Sequence, residues 1–238
     1  MELCFLLCAG FLLLAFLSEV LFAALGMQLQ AQSASPKICA SEALESLRAM
    51  LVFSGFAAWP RYLLRLDQPT ALLFTLAEAQ PEAPASVGLY AAKLFLVTLL
   101  VDFYMYWKHR ALHHPALFCF HKQHHSFPNP SPFASFAVAP VEATLTFAPV
   151  LLLCLPQAPV WAHAYGVWTA GFVLLNLYLH AGYTLPWLEA VLQPLGLNSS
   201  AFHNIHHESG GSRNFGELCY IWDSLLGSGE HPLKAKSV

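Results

Sequence analysis

The chain has 238 residues, of which 57% are hydrophobic and only 11% charged, with a formal net charge of −3. Soluble globular domains carry about 25% charged residues, so this composition excludes an ordinary soluble enzyme. The absence of a basic stripe excludes nucleic acid as a partner. What remains is an integral membrane protein.

Leu3–Met27 is an apolar run broken by Ser18 and Glu19, and the first cation, Lys37, comes after it. A signal peptide needs a positive n-region, so the run is read as a retained first span with a lumenal N-terminus. Residues 28–48 read as a polar connector. Ala49–Trp59 and Thr70–Ala77 are apolar but short, interrupted by Pro60, Arg61, Arg65, Asp67 and Pro69. They form either one disturbed span or a span with an interfacial piece. Residues 78–87, with Pro81 and Pro84, read as a loop. Gly88–Trp107 is the cleanest span, interrupted only by Lys93 and Asp102. Pro128, Pro130, Pro132 and Pro140 forbid a regular helix over Phe127–Pro140. Val141–Leu155 and Val160–Leu179 read as a helical hairpin turned at Pro156-Gln157-Ala158-Pro159. A hairpin returns the chain to the side it left, so residues 109–125 and 203–207 fall on one membrane face. The six cysteines (Cys4, Cys8, Cys39, Cys119, Cys154, Cys219) form no CxxC pair and read as reduced, packed thiols.

The expected fold is therefore all-α: an integral membrane helical bundle of about four spans, with a histidine-rich helical region on one membrane face. Residues 1–87 form the anchor and connector, 88–230 the histidine-bearing unit and 231–238 a tail. Lys234 and Lys236 give that tail the look of a dilysine retrieval signal.

Twelve histidines are the anomaly. His109 and His113 are four apart. His121, His124 and His125 read HxxHH, and His203, His206 and His207 read HxxHH again. On an α-helix, positions i, i+3 and i+4 share a face, so each cluster projects its rings in one direction. His180 closes the last apolar run, with Asn176 one turn earlier. Nine imidazoles without a metal would leave many nitrogens unpaired, and they cannot all be protonated side by side. Nine ligands are too many for one ion and suit two. Imidazole alone does not name the metal. Asp102, Glu142, Glu208, Glu217 and Asp223 are candidate carboxylates to hold the rings or offset the ions' charge. His114 competes with His113, which the four-residue step favours. His163 and His231 lie outside the clusters and are assigned structural or solvent roles.

The stretch Asp102–Arg110 (DFYMYWKHR) with His113, then HKQHH, HAGY, HNIHH and IWDSLLGS, resembles the fatty acid hydroxylase/sterol desaturase superfamily over about residues 88–230. Within it, HKQHHSFPNPSPFASFAVAPVE and QPLGLNSSAFHNIHH are most similar to sterol C5-desaturases (lathosterol oxidases). The resemblance implies a non-haem di-iron enzyme of the endoplasmic reticulum membrane, with its active site and C-terminus cytosolic. It would use O2 and electrons from NAD(P)H, passed through cytochrome b5 and its reductase, on a lipid or sterol. It assigns the ligand role to His109, His113, His121, His124, His125, His180, His203, His206 and His207. Asn176 stands where relatives have a further histidine, or an asparagine acting through water. Phe202 stands where C5-desaturases often have another histidine.

The chain has no GxGxxG unit and no CxxCH, so electrons must come from another protein. Removal of two hydrogens gives an alkene, the reading that leads. Hydroxylation of a fatty acyl chain or sterol is the alternative. A non-catalytic membrane metal-binding protein is the rival from another class, and a zinc hydrolase lacks its HExxH.

Overall fold

The computed structural model describes residues 2–30, 40–65, 84–149 and 162–230. The turn at 156–159, Thr70–Ala77, His231 and the lysine tail lie outside these residues. The described residues are mostly helical, with one two-stranded pairing, an isolated Leu197–Cys219 bridge and irregular connecting segments. Helices α1 (Glu2–Leu25), α2 (Ala40–Arg65), α3 (Pro84–Leu112) and α5 (Ala162–Leu179) are the long elements. Helices α4 (Pro140–Phe147), α6 (Pro186–Leu192), α7 (Ser200–Glu208) and α8 (Ile221–Leu226) are short. Strands β1 (Met27–Gln28) and β2 (Tyr183–Thr184) pair antiparallel, Met27 opposite Thr184.

Several boundaries differ from expectation. Helix α2 continues through Pro60 and Arg61, read as interruptions, to Arg65. Helix α2 starts at Ala40, inside the stretch read as a connector. Two of the polar residues there face inward: Glu42 and Ser46 are buried, and Ser46 Oγ donates to the Phe133 carbonyl at 2.6 Å, while Ser41 and Arg48 face outward. What looked like a solvated linker is the polar face of a packed helix. Helix α3 starts at Pro84, inside the expected loop. Proline at a first helical position loses no hydrogen bond, since that N–H has no partner anyway.

The proline-rich segment 127–139 is irregular, as expected, with one 3-10 turn at Pro132–Ala134. It is also core. Phe133, Phe136 and Val138 pack with Phe11 and Ala15 of α1, Ala49 and Met50 of α2, Ala143 and Phe147 of α4 and Leu177 of α5. Proline and small residues let this segment lie flat between the helices.

Among the described residues, one helix segment, Cys4–Leu25, is long and apolar enough to cross a membrane. Helices α3 and α5 also turn large apolar side chains outward, with Leu89 75% and Val167 74% exposed. Soluble monomers rarely expose contiguous apolar faces of this kind. Cys4 and Cys8 are half-buried free thiols, whereas Cys119 is exposed rather than packed.

Candidate metal centre

The C-terminal end of α3 supplies His109, and His113 follows one residue past its end, where its amide still donates to the His109 carbonyl at 3.2 Å and so keeps the four-residue step. The first HxxHH does not lie on an α-helix. It follows a 3-10 turn at Phe118–Phe120 and ends in a second at His124–Ser126. The His124 and His125 amides still reach back to the His121 carbonyl, at 3.0 and 3.5 Å, so one helix-like turn preserves the i, i+3, i+4 grouping. The second HxxHH sits on α7, which is capped at Ser199, whose side chain accepts from the Phe202 amide at 3.3 Å. His180 follows the last residue of α5.

These segments bring nine histidines into two groups. His109, His113, His121, His125 and His206 form one; His124, His180, His203 and His207 form the other. In each, one nitrogen per ring lies within 4.8 Å of all the rest. The two HxxHH motifs contribute reciprocally. The outer pair of the first, His121 and His125, joins the group of five, and its middle residue, His124, joins the group of four. In the second, His203 and His207 join the group of four while His206 crosses to the group of five. Residues i and i+4 point together and i+3 is turned away by about 60°.

The outer nitrogens fix the tautomers. His109 Nδ1 donates to the Phe215 carbonyl at 2.8 Å, His206 Nδ1 to the Arg213 carbonyl at 2.7 Å and His180 Nδ1 to the Asn176 carbonyl at 2.9 Å. A carbonyl oxygen only accepts, so these nitrogens carry the hydrogen and each Nε2 keeps its lone pair. His121 Nδ1 lies 2.8 Å from Glu142 Oε1 and donates to it when that carboxyl is ionised. Across the middle of the first group, His125 Nε2 lies 3.1 Å from Nε2 of His113, His121 and His206 alike. A single ring hydrogen can serve only one of those contacts. In the second group His180 Nε2 lies 3.2 Å from His203 Nε2 and 3.3 Å from His124 Nε2. The buried His109 Nε2 and both ring nitrogens of His207 have no hydrogen-bond partner among the described residues.

Protonation does not resolve these contacts. Burial, and then the neighbouring imidazoles, hold His113 down to about 3 and His125 to about 4. Burial brings His180 to about 4, and His109, His203, His206 and His207 lie well below the usual value for the same reasons. The cluster is therefore neutral, with several lone pairs converging in a buried space. Nitrogens 3.1–3.3 Å apart are at the spacing of ligands about 2.1 Å from a shared centre. Such a donor set fits one metal cation per group.

The remaining candidates sort cleanly. Glu142 holds His121. Asn176 gives only its backbone carbonyl to His180; its side-chain Nδ2 donates to the Phe172 carbonyl at 2.9 Å. His114 is exposed and outside both groups, its Nδ1 accepting from the Ala116 amide. Asp102 is not at the cluster. It accepts from the Leu218 and Cys219 amides and from Trp222 Nε1, pinning the C-terminal segment to α3. Asp223 also lies one layer out, accepting from the Phe215 and Gly216 amides and from Ser228. It fixes the segment whose Phe215 carbonyl orients His109. Glu208 is exposed, and Glu217 pairs with Lys108 at 2.7 Å. Phe202 is buried, with its ring against Tyr220.

Sequence reasoning missed the carbonyls of Phe215 and Arg213, because any residue type supplies a carbonyl. It also missed Gly211. With φ at +75°, a Cβ there would land on the His113 ring.

The class is thus a helical protein with two buried histidine groups, each able to hold a metal ion. The chain belongs to the fatty acid hydroxylase family: the family model described as Fatty acid hydroxylase matches residues 94–228. A Delta(7)-sterol 5(6)-desaturase of Aspergillus fumigatus is 31% identical over 193 residues, covering 80% of this chain and 51% of that protein. The lathosterol oxidase of Homo sapiens is 31% identical over 154 residues, 61% of this chain and 48% of that one. A Dictyostelium discoideum protein whose name carries "methylsterol monooxygenase" is 28% identical over 145 residues, 59% and 51%. The chain thus spans about half the length of these relatives. No solved structure matches it.

Proposed function

We propose that this chain is a membrane-embedded, iron-dependent lipid oxidase acting as a sterol C5-desaturase. The observation that carries the reading is the meeting of two features. The paired histidine groups adjoin an apolar cavity of about 430 Å³, lined by Phe11 and Leu14 of α1, Met50 and Phe53 of α2, and Phe172 and Val173 of α5. That volume suits a lipid-sized ligand. A metal store or carrier has no use for such a cavity.

The five-histidine and four-histidine groups would each hold one iron, which when bound supplies the power to activate O2 against an unactivated C–H bond. Imidazole ligands tolerate that chemistry where thiolates oxidise. The protein's own part is orientation and exclusion. Glu142 and the carbonyls of residues 176, 213 and 215 hold the rings, and the apolar walls keep water from the substrate. In desaturation one O2 accepts two hydrogens from adjacent lipid carbons plus two electrons and two protons, and leaves as two waters. The electrons come from NAD(P)H through cytochrome b5 and its reductase. The outward apolar faces of α1, α3 and α5 support a multi-pass topology in the endoplasmic reticulum membrane, with the histidine cap and C-terminus cytosolic. Hydroxylation, in which one oxygen atom enters the lipid, is the alternative; the methylsterol monooxygenase relative favours it.

Expression in cells that lack sterol C5-desaturation, followed by lipid profiling and metal analysis of the purified protein, tests the proposal. The expected result is restored Δ5 sterol and two irons per chain. A hydroxylated lipid would favour the alternative, and iron-free protein would end both. Alanine at His124, His125, His206 or His207 is expected to abolish turnover without loss of membrane insertion, whereas alanine at His163 or His231 leaves turnover measurable.

A further inference from the structure

The apolar cavity and the small histidine-lined cavity share three wall residues: Phe136, Thr146 and Phe172. Two of these are hydrocarbon, so Thr146 is the polar point of the junction. Its Oγ1 accepts from Lys108 Nζ at 3.0 Å, and Lys108 also donates to Glu217 Oε1 at 2.7 Å. Lys108 is only 8% exposed. A buried ion pair is poor value for stability, because desolvation offsets the attraction. Its place beside an apolar cavity asks for another reason. Thr146 uses a lone pair on the ammonium and keeps its own hydrogen; among the described residues none accepts it. Lys108 has three ammonium hydrogens, two of them engaged by these partners.

We propose that Thr146, backed by Lys108 and Glu217, binds the hydroxyl of the lipid substrate and thereby fixes the oxidised carbon within a few bonds of that hydroxyl. The register along α4 sets the distance. Thr146 lies four residues, about 6 Å of helix rise, from Glu142, whose carboxylate holds His121 at 2.8 Å. A hydroxyl at Thr146 therefore sits about one helical turn from the residue that holds His121 and on the wall of the histidine-lined cavity, and the apolar remainder of the molecule extends into the larger cavity. In a 3-hydroxysterol, carbon 5 is two carbon–carbon bonds from the carbon bearing the hydroxyl, which meets this requirement. Oxidation near the far end of a chain anchored at Thr146 does not. The inference rests on the lipid-oxidase reading and adds the contact that orients the lipid.

The test is equilibrium binding to the purified full chain in lipid nanodiscs, with two pairs of probes: cholest-7-en-3β-ol against cholest-7-ene, and octadecan-1-ol against octadecane. Wild-type protein is expected to prefer the alcohol of the pair it accepts by about fivefold to tenfold, the size of one or two net hydrogen bonds. Thr146→Val should bring that preference to parity while leaving hydrocarbon affinity unchanged, and Thr146→Ser should keep it. Thr146→Val leaves the Lys108–Glu217 pair intact, so folding is preserved. Equal binding of alcohol and hydrocarbon by wild type, a preference that survives Thr146→Val, or no binding of either skeleton would overturn the anchor. Octadecanol bound with that Thr146-dependent preference, and no sterol bound, would uphold the anchor and remove the sterol from the proposed function. Binding needs no iron and no electron donor, so this readout stands apart from turnover.

Discussion

His121 shows how a single ring is prepared for its task. One nitrogen is tied to Glu142 and the other is 3.1 Å from His125, so the ring can neither rotate nor exchange tautomers freely. Partners of this kind raise ligand basicity, and their removal typically costs about 10–100-fold in metal affinity. Glu142→Ala is therefore expected to weaken iron retention by about that factor against a chelator series, with Glu142→Gln intermediate because its amide oxygen still accepts the bond. Gly211 is held to its identity by two constraints, a left-handed φ and the His113 ring against its Cα. Gly211→Ala is expected to displace His113 and lower iron content, read by metal analysis, while the other eight histidines keep their positions. The nine histidines were legible from spacing alone, because a repeated HxxHH has few structural explanations. The carboxylates were less so. Glu142 and Asp102 look alike in sequence, but one meets a histidine and the other meets two amides and an indole.

At the scale of elements, the anchoring falls to short polar links rather than to helix ends. Asp102 ties the middle of α3 to residues 218–222, and Asp223 ties the start of α8 to residues 215–216. Asp102→Ala would leave two amides and an indole N–H without their acceptor, a loss on the order of 3 kcal/mol. It is expected to lower the melting temperature even of protein purified without metal, which separates this residue from the ligands. Long helices were readable from apolar run length, and the prolines correctly broke the chain at 127–140. The starts of α2 and α3 were not readable. Ser46 on a buried face looks in sequence like Ser46 in a linker, and Pro84 opens a helix as readily as it ends one. The first HxxHH achieves by 3-10 turns what the second achieves on α7, a substitution that spacing cannot distinguish.

Across the whole molecule, a buried neutral imidazole cluster makes the fold sensitive to acid. These rings have folded pKa values below the unfolded value of about 6.5, such as about 3 for His113 and about 4 for His125. The unfolded state therefore binds more protons. Their contribution is fully present above pH 6.5 and is lost as pH falls through 6.5 toward 4, by about 1.4 kcal/mol per ring per pH unit. Chelator-treated protein is expected to melt progressively lower between pH 6.5 and 5, while iron-loaded protein resists over that range. A flat profile for the metal-free form would contradict the neutral, buried state of the rings.

The reciprocal sharing of the two HxxHH motifs carries a temporal consequence. His206 belongs with rings from residues 109–125, and His203 and His207 belong with His124 and His180. During synthesis the group of five is not whole until the ribosome has passed residue 206, nor the group of four until it has passed residue 207. Completion of both histidine groups is thereby deferred to a late stage of biogenesis, when residues 109–125 and 203–207 have met.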